Sequence, residues 1–161
     1  MKKLIFSLLM CVTLVCMQAQ AQTAKQKADE KAYAALYPKL LKMYVGNRTM
    51  TLQWLEESPK TKTKFGKVLI KTEEGSPVLS AKGEQRKNDN EFLTVDGTIQ
   101  PISATEFLFS GTITTQVSYI DEGKPCVKTG NFTFKKYPGR AFYRLQEKDN
   151  CSGEVNYVDI F

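Results

Sequence analysis

The chain has 161 residues, 23 basic and 17 acidic, giving a formal charge of +6, and it contains no histidine. That length suits one domain with a real hydrophobic core. The missing histidine excludes Ser-His-Asp chemistry, histidine zinc sites and imidazole acid-base catalysis, and the charge is too mild for a dedicated polyanion binder.

Residues 1–21 read as a signal peptide. Lys2 and Lys3 precede an apolar run from Leu4 to Met17, and Ala19-Gln20-Ala21 supplies the small-x-small cleavage pattern. The run is shorter than the roughly 20 residues of a membrane-spanning helix. Cys11 and Cys16 follow Met10 and Val15, where lipoprotein processing wants a small residue, so they belong to the discarded leader. The mature chain would begin at Gln22 as an exported, periplasmic or extracellular protein. Losing Lys2 and Lys3 lowers its formal charge of +6 by two.

Residues 22–46 form a helical segment, since Tyr33, Leu36, Tyr37, Leu40, Leu41 and Tyr44 recur at steps of three and four. Pro38 interrupts the stripe, and Gly46-Asn47 is a stop signal. From residue 47 to 161 the period becomes two, as in Met50, Leu52 and Trp54. Further strand candidates follow at Gly66 to Thr72, Val78 to Glu84, Glu91 to Gln100, Glu106 to Ile120, Cys126 to Lys136, Ala141 to Lys148 and Val155 to Phe161. Turn clusters at Glu73 to Pro77, Asp121 to Lys124 and Tyr137 to Arg140 punctuate them. Lys60, Lys62, Lys64 and Lys67 make a basic strip, read as protection of a sheet edge rather than as an anion site.

The tripeptide Gly-Thr-Ile occurs at Gly97 and again at Gly111. A turn across Pro101 to Thr105 sets Ile99 opposite Phe107, Gly97 opposite Phe109, Val95 opposite Gly111 and Leu93 opposite Ile113, all on one face. A next turn at Asp121 to Lys124 puts Gly130 opposite Thr115 on that same face. Inward glycines Gly97, Gly111 and Gly130 mark corners where a sheet curls, with Phe109 covering bare backbone. The fold class expected is mainly β: an antiparallel barrel or strongly coiled sheet of about eight strands behind an N-terminal helix, with a β-sandwich as the alternative.

Extending the meander through Tyr137 to Arg140 sets Phe134 opposite Tyr143, Phe132 opposite Leu145 and Cys126 opposite Cys151. In an oxidising compartment that pair forms a disulfide. On the same face lie Lys128, Glu147 and Asp149, which either orient the polar head of a ligand or form a compensated group at the barrel rim. Alternation sends Phe132, Phe134 and Tyr143 inward and Phe142, Arg140 and Arg144 outward, so this aromatic-basic stretch is not read as a nucleic-acid surface. The adjacent acidic pairs Glu56-Glu57, Glu73-Glu74 and Asp121-Glu122 face water. No catalytic residue, metal ligand or cofactor is expected.

The Ala-Gln-Ala-Gln end of the leader resembles those of Bacteroidetes secreted proteins. The stretch from Val95 to Phe161, with its VDGTI, FSGTITTQVSYIDEGKPCVKTGNFTF, YRLQEKDN and VDIF segments, resembles a group of exported bacterial proteins of unknown function. A helix before eight antiparallel strands is also similar in fold to the calycins. Arg48, however, stands where the lipocalin Gly-x-Trp motif has tryptophan, and the usual C-terminal helix is absent, so this likeness implies architecture alone. The expected function is therefore non-catalytic binding of a small apolar or amphipathic ligand in a barrel. An alternative is a surface-interaction or adaptor protein with a filled core, meeting an envelope protein or glycan. A glycan hydrolase using carboxylates alone comes third.

Overall fold

The computed structural model describes residues 25–27, 29–55, 65–74 and 76–161. The leader, with Cys11 and Cys16, and Lys60, Lys62 and Lys64 lie outside the described residues. The chain divides into two compact units, Met1–Lys39 and Leu40–Phe161. In the first, described residues are helical, and the rings of Tyr33 and Tyr37 pack at a tilt one turn apart with centres at 5.3 Å.

The second unit begins with the last helical turn, residues 40–44, and continues as a closed antiparallel barrel. Its strands are β1 (Gly46–Leu52), β2 (Gly66–Thr72), β3 (Leu79–Asn88), β4 (Glu91–Ser103), β5 (Glu106–Gln116), β6 (Cys126–Lys135), β7 (Tyr143–Leu145) and β8 (Val158–Ile160). Each pairs with its sequence neighbour, and β8 returns to β1 through Met50↔Ile160 and Leu52↔Val158. The barrel reading holds and the sandwich does not.

The interior is packed. Phe107, Phe109 and Phe134 are almost fully buried among Leu79, Leu93, Ile99, Met50 and Val158. Phe107 stacks on Phe134 at 4.9 Å, and Phe109 meets Phe134 edge-on at 6.3 Å. The end formed by the β3–β4 and β5–β6 connections is closed by polar groups. Gln85 accepts from the Leu52 amide at 2.7 Å, Asn156 donates to Thr115, and Trp54 donates to Asn156 at 2.9 Å.

Inward and outward faces fall where alternation puts them, but every register from Leu93 onward is displaced by an even number of residues. β4 and β5 run on to Ser103 and Glu106 around an irregularity between Pro101 and Ser103, so Ile99 meets Phe109 and Val95 meets Ile113, two residues from the expected pairs. A bulge is how a strand admits proline. Between β5 and β6, successive turns begin earlier, at Val117, with Asp121 and Glu122 at positive φ. The slip there is four residues, giving Phe109↔Phe132 and Ile113↔Lys128. Between β6 and β7 the expected turn forms, Arg140 bonding back to Tyr137, but Ala141 and Phe142 stay outside the ladder and Phe134 meets Leu145 rather than Tyr143. Even slips preserve the face of every side chain, which is why the core is as expected although the pairs are not. Lys67 does not guard an edge: β2 is paired on both sides, with Thr49 and Glu84 flanking Lys67.

The displaced registers bring Gly97, Gly111 and Gly130 into one row across β4, β5 and β6. A Cβ on Gly97 would lie 2.4 Å from the Ser110 carbonyl oxygen, and one on Gly111 2.3 Å from that of Asp96. The end of the Phe109 ring covers both. Gly130 differs from the expectation. It is exposed with open space where its Cβ would be, because β7 leaves β6 before reaching it.

Replacing Gly97 by alanine should destabilise the fold by roughly 2–4 kcal/mol, since backbone must move to admit the methyl. Urea unfolding measures this, and a loss below about 0.5 kcal/mol would show that the close approach is not required.

Glu91 ties the closed end together. Its carboxylate accepts from Ser118 at 2.9 Å and from Asn88 at 2.8 Å and pairs with Lys87 at 3.1 Å. Hydrogen bonds from Ser118 and then Lys87 hold its pKa below the ordinary glutamate value despite an opposing cost of burial. A depressed carboxylate stabilises the folded state above its unfolded pKa, and the contribution fades as pH falls through the lower folded value. Glu91→Gln should therefore cost stability at neutral pH and flatten the acid limb of a stability profile; parallel acid limbs for the two proteins would contradict this.

Candidate functional site

Grouped polar or aromatic chemistry with space beside it lies, among the described residues, at the seam between β6 and β7, in a hollow on the outer wall, and at the mouth opposite the closed end.

The seam contains the residues singled out by sequence. β6 and β7 pair at Phe134↔Leu145 and Lys135↔Arg144, after which Gln146 still donates to the Thr133 carbonyl at 2.9 Å. From there the two chains are joined by side chains. Glu147 accepts the Thr133 amide at 2.8 Å, replacing a ladder acceptor, and Lys128 donates to the main-chain carbonyl of Asp149. Cys126 and Cys151 are disulfide-bonded, with Cα atoms 5.6 Å apart. The bond survives the two-residue slip because the chain has left the ladder by Cys151, in a turn organised by Asn150, whose side chain accepts the amides of Ser152 and Glu154.

Lys128, Glu147 and Asp149 do line one space together, with Phe132 and Leu145 on its apolar side. Its volume is about 10 Å³. Glu147 and Asp149 are themselves exposed. The polar contacts of Lys128 and Glu147 run to main chain, which is the chemistry of a seam closure.

The outer hollow, about 500 Å³, lies over β2, β3 and β4 between Lys67, Leu69, Lys82, Glu84 and Asp96. It is open, and Lys82 bonds Asp96 within it at 2.7 Å.

The mouth is different in kind. A cavity of about 190 Å³ sits between the rings of Tyr44, Phe107, Tyr143 and Phe161, with Arg48 and Lys136 as its cations. Ala104 and Ala141 line it too, and their small side chains leave the room. Tyr44, the last residue of the helical stripe, is buried against the barrel and donates to the Ser103 carbonyl at 2.6 Å, its ring edge-on to Phe107 at 5.4 Å. Burial above all pushes the Tyr44 pKa far above its ordinary value, so it stays a neutral donor. Tyr143 donates to the Ala104 carbonyl at 2.9 Å, which fixes the β4–β5 turn at the rim. Arg48 donates to the carbonyls of Met43 and Tyr44, closing the helix end as a cation should. Lys136 lies over the Tyr143 ring, 5.7 Å from its centre.

Sequence reading did not gather these residues into a site. Tyr44 was visible only as part of a stripe, Arg48 only as a departure from a motif, and Lys136 and Phe161 as strand ends. The signal present was an aromatic or basic residue at or just past the same end of five strands, β1, β5, β6, β7 and β8.

The PM1083 family model matches residues 22–161, and the chain belongs to that family, an uncharacterised one. It is similar to the uncharacterized protein PM1083 of Pasteurella multocida (strain Pm70), 31% identical over 153 residues, spanning 94% of this chain and 88% of that protein. No solved structure matches the chain.

The disulfide closes a loop of sequence separation 25 across a seam with little ladder of its own. Replacing Cys126 and Cys151 by serine should cost about 3–4 kcal/mol on the chain-entropy estimate. Chemical unfolding with and without reductant checks this: the native protein should fall to the level of the variant, and an unchanged midpoint would show that the seam closes without the bond.

Proposed function

We propose that this is an exported, non-catalytic binding protein of the bacterial envelope, and that it holds the apolar end of a small amphipathic ligand in the mouth of a filled β-barrel. Export is supported by the leader pattern of Lys2 to Ala21, by a family match that starts at Gln22, and by the disulfide. Among the described residues no helix is long and apolar enough to cross a membrane.

The observation that carries the binding reading is the mouth cavity of about 190 Å³, walled by four rings and bearing two cations. Pockets for drug-sized ligands hold roughly 300–1,000 Å³. A space below that range takes one ring or the end of a chain, leaving the rest of the ligand outside. An anionic or hydrogen-bonding head would then lie toward Arg48 and Lys136. The filled interior favours a second reading, in which the barrel is a scaffold and acts by surface interaction as an adaptor. Its specific support is the space of only about 10 Å³ beneath Lys128, Glu147 and Asp149.

Native mass spectrometry of the protein purified from its own host distinguishes the two. A retained small molecule, lost in an Ala141→Trp variant that fills the cavity and kept in Lys128→Met, is the expected result. Loss in Lys128→Met alone would move the site to the seam, and a clean apo mass across growth conditions would favour the adaptor reading.

A further inference from the structure

Phe161 takes part in a second arrangement besides the mouth. Its ring centre lies 5.9 Å from Phe65 and 5.4 Å from Phe142, so three phenyl rings form one group that continues from the cavity onto the outer wall. Phe65 is 57% exposed and Phe161 37%. Arg140 stands 5.7 Å over the Phe142 ring, and Lys136 reaches the same rim from the mouth cavity it shares with Phe161. Tyr137, in the same turn as Arg140, is 53% exposed.

Among the described residues, Asp159 and Glu106 near this rim are already held. Asp159 is buried and receives both forks of Arg144 at 2.7 Å, and Glu106 is paired with Lys135 at 3.3 Å. What faces outward is a combination of bare rings and cations. Exposed apolar rings are unfavourable in water, and cations attract anions, so the surface complementary to both must be apolar and negatively charged over the same few ångströms. A soluble acidic polymer answers the cations but leaves the tip of Phe65 wet. The interface of an anionic bilayer answers both, since aromatic residues settle at headgroup depth and basic residues meet the acidic headgroups.

We propose that the rim formed by Phe65, Phe142, Phe161, Arg140 and Lys136 docks on an anionic lipid bilayer. The proposal stands on the outer wall and does not need the mouth to hold a ligand. Docking would nevertheless set the mouth cavity against the membrane, where amphipathic molecules are concentrated.

The test is co-sedimentation of the protein with vesicles of phosphatidylcholine alone and of phosphatidylcholine containing phosphatidylglycerol, at low and high salt. Binding to the anionic vesicles that weakens with salt is expected, with little binding to the neutral ones. Phe65→Ser and Arg140→Glu do not line the cavity; combined, with the N-terminus unchanged, they should reduce partitioning by at least about tenfold. Each single variant should lose part of that. Equal binding to both vesicle types, undiminished binding by the double variant, or displacement of the protein from vesicles by a soluble acidic polysaccharide would overturn the proposal. Circular dichroism of each variant confirms that the fold is retained, as expected for substitutions at an exposed ring and in an exposed turn.

Discussion

Curling a sheet until its first and last strands meet demands that some backbones come closer than side chains allow. In this barrel the demand is met at Gly97 and Gly111, which face one another across β4 and β5 with each other's Cα where a Cβ would be. The ring of Phe109 then lies over both, so the gap left by two missing side chains is filled from the next turn of the same strand. This local exchange has consequences around the barrel. It sets the curvature of the two longest strands, directs Phe107, Phe109 and Phe134 into one aromatic cluster, and leaves the interior full.

Closure is then completed by very little ladder. β7 and β8 are three residues each, so the wall opposite the glycine row is thin. Side chains and the disulfide replace missing main-chain bonds along the β6–β7 seam, and on the outer face Arg144 and Asp159 pair directly across β7 and β8. That pair is covered by Tyr157 and Phe142, each with its ring near the Arg144 guanidinium. A partly buried ion pair with both forks satisfied resists separation of the two strands, because breaking it leaves a half-buried charge without its partner. The wall is therefore short in backbone bonds and strong in side-chain ones.

Much of the fold was legible because the property that decides it, which face a side chain takes, repeats every second residue. Shifts of two and four residues leave that property intact, so the core of Leu93, Val95, Ile99, Phe107, Phe109, Phe132 and Phe134 was recoverable from alternation while none of its pairings was. Registers depend on turn geometry, and three local details settled them: an irregularity near Pro101, positive φ at Asp121 and Glu122, and two unpaired residues after Arg140. The cysteines paired despite a wrong register because a disulfide tolerates the departure of one chain from the ladder. Lys128, Glu147 and Asp149 line one small space, but alternation says nothing about whether a polar group will find main chain or solvent. The mouth was harder still. Its residues come from the helix end, β1, the β4–β5 turn, the β6–β7 connection and the last residue, and only the closure of the barrel brings them together.

The two ends of the barrel now differ in a way that bears on function. At the closed end polar side chains are absorbed by the fold: Gln85 holds Leu52, Asn156 holds Thr115, and Glu91 gathers Ser118, Asn88 and Lys87. At the mouth, Tyr44, Tyr143 and Arg48 also anchor backbone, yet a cavity remains between them, and the rings of Phe65 and Phe161 extend past it into solvent. Barrel closure accounts for the first set and for the anchors of the second. It does not account for the exposure of the Phe65 ring or of the Arg140 side chain. Rings and cations that a fold does not use, gathered beside an aromatic-walled opening, are the part of this surface whose chemistry points outward.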